Sequence, residues 1–440
     1  MMNDIANVYA KKLSRMIQLE TISETNQADK SKFYKFHDLL RELFPNVFSK
    51  CEMTDFDGSF VLRLKGETDK MPIMFMNHHD VVEATGKWTY PAFSGEIHDG
   101  KLYGRGTLDT KGGLFSMLQA AEELIIDGFK PEQDIYFVSA CTEETDGSGA
   151  DKISKYFLEK GIEFSFVLDE GGMIISEPIA GAKGEFAIVG VGEKGCVDIK
   201  FTARSSGGHA STPGKDTPLV RLGKFMAKVE KSNLFKAELS PTVCETFNKI
   251  SEGMTGPLKF VLKHANIFKP VLVKVMPLVS STAGAMLKTT IAFTMAGGAD
   301  MANVLPHEAW IVANMRISHH QGSEESIGIV KKLAEKYNIE TEILDPGFDS
   351  PISDYNSPAF HLIEKAIKDV FKDIVTTPYI MTGASDCRCM SRVSKNCLRF
   401  VPFNVSDEQL DSIHGFDENV NIDCLPKAVK FYKYMMEASV

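Results

Sequence analysis

No run of about 18 or more apolar residues occurs in this chain, so it lacks the length of hydrophobic segment that a membrane-spanning helix needs. The most apolar region, FVLKHANIFKPVLVKVMPLV, is broken by Lys263, Lys269, Lys274, Pro270 and Pro277. The opening stretch MMNDIANVYAKKLSRMIQLETIS also lacks the uninterrupted apolar core of a signal peptide. It is expected to form an amphipathic helix with Ile5, Val8, Leu13, Met16 and Ile17 near one face. Cysteine is sparse, with 8 in 440 residues; only Cys387 and Cys389 lie close together and there is no CxxC. Reduced thiols in a cytoplasm are therefore expected. Positive charge is in deficit, 49 Lys+Arg against 59 Asp+Glu, for a net charge of −10. That balance argues against general nucleic-acid or anionic-membrane binding, although a local basic patch remains compatible with it.

The chain has 43% apolar and 25% charged residues, which is ordinary usage for a folded protein. Its length suggests two or three domains. There is no internal repeat and no low-complexity linker. Over the first 190 or so residues, strand-like runs (FVLRLKG, PIMFMNHHDVV, DIYFVSACT, FSFVLDEGG) alternate with the helical patterns GGLFSMLQAAEELIIDG and ADKISKYFLEKG. These helices close at Gly128 and Gly161. The alternation predicts an α/β sheet with helices on its faces, whose chemistry sits at the carboxyl ends of strands. From Gly195 the order becomes β-α-β-β-α-β, interrupted by an irregular helical segment over about 241–286. The final portion returns to α/β alternation. The expected organisation is a discontinuous domain over 1–194 and 347–440, with a second domain inserted at 195–346.

Five clusters carry candidate chemistry. His78-His79-Asp80 ends an apolar strand, where residues 78 and 80 share a side; His78 can ligate a metal and Asp80 can orient its ring. Gly104–Gly113 is a glycine-rich turn holding Asp109 just before a helix. Thr142-Glu143-Glu144 and Leu168-Asp169-Glu170 follow two further strands, and His414 returns near the C-terminus. Taken singly, each has an ordinary alternative: a turn, an N-cap, a solvated acidic loop or a surface histidine. Taken together, four clusters end strands or lead into helices of one α/β domain. Histidine and carboxylate ligands suit zinc, and a cocatalytic pair can share one bridging carboxylate. The other histidines, His79 among them, lack motif support, and Cys387 and Cys389 read as packed thiols.

At these residues the sequence resembles the zinc-dependent metallopeptidase family of carboxypeptidase S, aminoacylase, glutamate carboxypeptidase and peptidase T. The matching pieces are His78-His79-Asp80-Val81-Val82, the whole of 104–113, Thr142-Glu143-Glu144, Asp169 and His414-Gly415-Phe416-Asp417-Glu418. Gly207–Ser211 and Asn303–Pro306 also match, in order. Thr289–Thr294, Asn314–Ile317 and the irregular segment resemble the carboxypeptidase S branch in particular. The resemblance implies a mixed sheet flanked by helices, with an inserted α+β lid and dimerisation domain. It also implies two Zn2+ per subunit, with Co2+ or Mn2+ as substitutes. One would take His78, Asp109 and Asp169; the other would take Asp109, Glu144 and His414. The peptide bond after Asp109 would be cis, Glu143 the general base, and Asp80 the support of His78. His209, often from a neighbouring subunit, would polarise the scissile carbonyl. Asn303, Arg316 and the loop containing Ser385 would contact substrate.

Several positions depart from the pattern: Thr142 stands for the usual Asp, Glu83 for a common Pro, and Gly383-Ala384-Ser385-Asp386 for a GGTD loop. Asp169 stands where many family carboxypeptidases carry Glu. The implied activity is hydrolysis of peptides or N-acyl amino acids by a carboxypeptidase or aminoacylase route, and the implied assembly is a homodimer through the inserted domain. The alternatives are a dipeptidase or aminopeptidase that needs a free substrate amine, and a non-catalytic peptide-binding homologue.

Overall fold

In the computed structural model, which describes residues 2–279, 281–345, 347 and 350–438, ten of the described strands form one mixed sheet. Its order is Glu52–Phe56, Ser59–Leu64, Ile135–Ser139, Ile73–Met76, Phe166–Asp169, Cys397–Arg399, Glu185–Glu193, Ile174–Ser176 and Asn404–Val405. Val375–Met381 also pairs with Glu185–Glu193. The neighbours Ile135–Ser139, Ile73–Met76 and Phe166–Asp169 run parallel. Every residue in these three strands is buried, as parallel strands covered on both faces require. Alternation divides them between two cores. Ile73, Phe75, Phe137 and Leu168 join the helices Met2–Ile17, Lys111–Ile126 and Cys424–Glu437 on one face. Met74, Val138 and Val167 join Ile153 and Phe157 of Ser148–Glu159 on the other. No described helix is long and apolar enough to cross a membrane.

The first helix forms as expected, and Leu13, Met16 and Ile17 of the expected face are buried, but its N-terminal half departs. Ala6, Tyr9, Ala10, Leu13, Met16 and Ile17 are buried, whereas Ile5 and Val8 are exposed. The buried set keeps the 3.6-residue period through the smaller Ala6 and Ala10, so spacing outweighs side-chain size.

Past Lys194 the chain enters a second, antiparallel sheet in the order Thr290–Gly297, Glu308–Ile317, Gly195–Arg204, Glu340–Asp345. Leu222 and Phe225 of Pro218–Lys231, and Val330 and Leu333 of Gly322–Glu335, pack on it. The irregular segment resolves into the helices Pro241–Ile250, Gly256–Lys263, Ala265–Val279 and Ser281–Leu287. These helices do not join the small-sheet core. Val243, Phe247, Leu262 and Leu272 share a core with Phe186 and Ile188 of the large sheet, with Tyr379 packed against it.

Candidate metal centre

Because the three central strands are parallel, their carboxyl ends lie on one edge of the sheet, and each delivers acids or imidazoles there. Ile73–Met76 leads to His78, His79 and Asp80. Ile135–Ser139 leads to Glu143 and Glu144, and Phe166–Asp169 ends on Asp169 itself. Asp109 enters from the loop before Lys111–Ile126, and His414 from the turn after Asp407–Ser412. The Asp109–Thr110 peptide bond is cis.

Asp109 lies between two imidazoles. His78 Nε2 is 2.9 Å from its Oδ1, and His414 Nε2 is 3.1 Å from its Oδ2. The same His414 nitrogen is 3.1 Å from Glu144 Oε2. Ligand-capable atoms of His78, Asp109 and Glu144 all lie within 4.8 Å of one another. Glu143 approaches the same His78 nitrogen less closely, with its Oε2 at 4.0 Å. Asp169 is buried, and its Oδ2 has no hydrogen-bond partner among the described residues.

Electrostatics show how crowded this edge is. Burial raises Glu143 well above the usual carboxylate range, against the pull of His78, with Asp386 and Glu144 adding to the rise. Burial also raises Glu170, helped by Asp109, Asp169 and Glu143. It pushes Asp169 up to about 6. Asp109 goes the other way: burial pushes it up, but its hydrogen bonds to His414 and His78 win and hold it low. Hydrogen bonds to Asp109 and Glu144 in turn lift the His414 imidazole to about 10. Glu144 Oε1 and both carboxylate oxygens of Asp386 are buried without a hydrogen-bond partner among the described residues. Buried carboxylates in this number are costly unless cations compensate them. The oxygen and nitrogen donors of His78, Asp109 and Glu144, and the oxygens left unpartnered around them, therefore fit a divalent cation.

Residues behind the ligands shape the site in ways that motif reading did not anticipate. Asp80 does more than support His78. Its carboxylate accepts the backbone N–H of Glu143 (3.3 Å) and of Glu144 (3.0 Å) and the Ser23 hydroxyl (2.7 Å). The nearer partner of His78 Nδ1 is the Asp80 carbonyl at 3.0 Å, with the carboxylate at 3.4 Å. Glu418 is fully buried and paired with Arg105 at 2.7 Å; it also accepts the N–H groups of Gly106, Leu108 and Asp109. It therefore holds the loop that presents Asp109. Glu193 accepts the Ser385 N–H (2.6 Å) and pairs with buried Arg399 at 3.1 Å, fixing the start of the Ser385 loop. The only signal for Glu418 in the sequence was its place in the His414–Glu418 motif.

The substrate-contact candidates divide. Ser385 is buried beside the cluster, next to Asp386. His209 and Asn303 come together on an exposed two-strand ladder, Gly208–His209 with Val304–Leu305, where Ala210 N donates to Asn303 O. His209 Nδ1 is 2.7 Å from Ser211 Oγ, and no described contact joins His209 to the His78 cluster. Arg316 is half-buried on the small sheet and donates to Asn314 at 3.0 Å. His79 turns away from the cluster, packed on Phe36 and Phe60 with Nδ1 2.8 Å from Ser139 Oγ.

The family model for peptidase family M20/M25/M40 matches residues 74–438. "Probable carboxypeptidase S-like 2" of Dictyostelium discoideum is 32% identical over 446 residues, covering 97% of this chain and 84% of that protein. "N-fatty-acyl-amino acid synthase/hydrolase PM20D1" of Xenopus tropicalis is 29% identical, covering 97% of this chain and 85% of that protein. The crystal structure of the M20 family metallo-carboxypeptidase Sso-CP2 from Sulfolobus solfataricus superimposes with a TM-score of 0.73. It is 16% identical and covers 98% of each chain, a likeness of fold alone. With the family model spanning the cluster from the strand before His78 to beyond His414, the chain belongs to peptidase family M20/M25/M40, on its carboxypeptidase S side, and is a hydrolytic metallopeptidase.

Proposed function

We propose that the protein is a dinuclear zinc amidohydrolase that cleaves peptides or N-acyl amino acids and releases an amino acid with a free carboxylate. The observation that carries this reading is Asp109 set between His78 and His414, with unpartnered carboxylate oxygens of Glu144 and Asp169 in the same cluster. Zinc held by His78, Asp109, Glu144, Asp169 and His414, or Co2+ or Mn2+ in its place, would acidify the attacking water and polarise the scissile carbonyl. Glu143 takes the proton from the water and returns it to the departing nitrogen; burial gives its carboxyl the raised proton affinity this task needs. Asp80 holds the Glu143–Glu144 backbone so that the two acids serve different roles. Arg316 pairs with the substrate carboxylate bidentately, and Asn303 also contacts the substrate. We place the protein in the cytoplasm, a reading supported by eight free cysteines.

The discriminating experiment is a hydrolysis screen. N-acyl amino acids and N-blocked dipeptides should be cleaved, and chelation should abolish the turnover. Cleavage restricted to substrates with a free amine would replace this reading with a dipeptidase or aminopeptidase. Metal binding with no hydrolysis at all would favour a binding protein.

His209 is exposed and has no contact to its own cluster among the described residues, which supports a role across a homodimer formed through 195–346. His209→Ala should lower kcat about 100- to 1,000-fold, the usual cost of losing one oxyanion donor. Mixing it with Glu143→Ala protein should restore activity through hybrid dimers; failure of the mixture to recover would assign His209 to its own subunit.

A further inference from the structure

The helices over 241–287 carry none of the proposed metal ligands, and their apolar residues pack on Phe186 and Ile188 of the large sheet. Between them and the large sheet lies a cavity of about 730 Å³. Ile175, Ile188 and Tyr379 form its sheet wall, and Phe247, Leu262 and Met276 its helix wall. Among the described lining residues there is no acid, amine, guanidinium or imidazole; Thr246 and Tyr379 bring the only side-chain hydroxyls. The Thr246 hydroxyl already donates to the Thr242 and Pro378 carbonyls. Apolar space of this size is costly to leave empty and does not hold water well. Its volume lies within the range of sites that enclose small organic ligands, about 300–1,000 Å³.

The cavity begins where the chemistry ends. Gly171 and Gly172 line it, two and three residues after Asp169, a span of at most about 7–11 Å along the chain. Leu410, on the short helix before His414, lines it too. Tyr379 lies on the strand that leads into the Ser385 loop. Three segments that carry site residues thus each contribute a wall residue. A Cβ at Gly172 would lie 1.9 Å from the Ile188 carbonyl oxygen, so the backbone can pass so close to the sheet there only as glycine. At the helix wall, Leu258, Val271 and Val275 line the cavity and are also exposed, which gives it an apolar rim open to solvent.

From this arrangement we infer that the cavity is the acyl-chain site of the enzyme and that its substrates are amino acids carrying a long unbranched N-acyl chain. This rests on the amidohydrolase reading above and names the substrate class of that site. A single peptide side chain would leave most of the volume empty, and a charged one would meet no partner. A hydrocarbon chain needs none, and it runs from the scissile amide past Gly171 and Gly172 towards the exposed rim. The similar Xenopus protein whose printed name specifies N-fatty-acyl amino acids is in keeping with this class.

The test is a chain-length series: the N-acetyl, N-octanoyl and N-dodecanoyl forms of one amino acid. kcat/KM should rise by about two- to fourfold per added methylene until the chain fills the cavity. Leu262→Trp and Met276→Trp, which occupy the cavity, should each lower the ratio of N-dodecanoyl to N-acetyl kcat/KM at least tenfold. A second readout needs no turnover: displacement of a fluorescent long-chain fatty acid by dodecanoate from the Glu143→Ala protein, weakened by the same substitutions. A flat series, or a ratio and displacement that the Trp variants leave unmoved, overturns the cavity assignment. If no N-acyl substrate is cleaved, the amidohydrolase reading fails instead, and fatty-acid displacement still decides whether the cavity binds acyl chains.

Discussion

In the Glu143→Ala protein, kcat is expected to fall about 100- to 10,000-fold, the usual contribution of a positioned general base, while bound metal stays at the wild-type level. The geometry separates the two adjacent acids. Glu144 Oε2 sits 3.1 Å from the His414 nitrogen that also faces Asp109, whereas the nearest described imidazole contact of Glu143 is 4.0 Å, to His78. Asp80 fixes both backbone N–H groups, so truncating the Glu143 side chain leaves the loop anchored. Glu144→Ala should behave differently, losing metal and activity together. Metal content measured by elemental analysis beside single-turnover rates distinguishes the two. If Glu143→Ala loses metal in step with activity, it is a ligand and the base assignment is wrong. If it keeps most of its activity, another group moves the proton.

Much of this site was legible because the pieces that hold it are local. A strand followed by an acid or histidine is a short pattern, and three such patterns converge once the strands are parallel neighbours. His78, Glu144 and Asp169 were therefore nameable as candidates before the fold was known, while Asp109 and His414 took their roles from the family pattern. The supports were not legible, because they are long-range and made of ordinary residues. Glu193 meets Arg399 across 206 positions, and Arg105 meets Glu418 across 313. The motifs at 104–113 and 414–418 contain Arg105 and Glu418, but neither pattern says that the two charges meet and are buried together. The packing partner of the helices over 241–287 was hidden for a related reason. They fall inside the stretch read as the inserted domain, but their apolar faces pack on Phe186 and Ile188 of the large sheet. Helical periodicity says that a face must be covered, not which sheet covers it.

Glu418→Ala is the substitution with the largest expected effect on the folded state. It leaves the Arg105 guanidinium buried with one partner fewer, and breaking a buried pair in this way costs about 3–5 kcal/mol. Both side chains are essentially inaccessible, at 2% and 0% exposure, so solvent cannot take over the lost contact. The same carboxylate also accepts the N–H groups of Gly106, Leu108 and Asp109 at 2.8–3.2 Å. Its removal should therefore loosen the turn that aims Asp109 between His78 and His414, and metal affinity should fall together with the urea midpoint. The two contributions separate in the double variant Arg105→Met, Glu418→Leu. Replacing both members of a buried pair by apolar side chains is often nearly neutral, so much of the stability should return. The three N–H groups still lack their acceptor, so metal affinity should stay low. Recovery of metal binding along with stability would mean that the ion pair alone matters. An unfolding midpoint that Glu418→Ala leaves in place would show that the buried pair does not hold the loop.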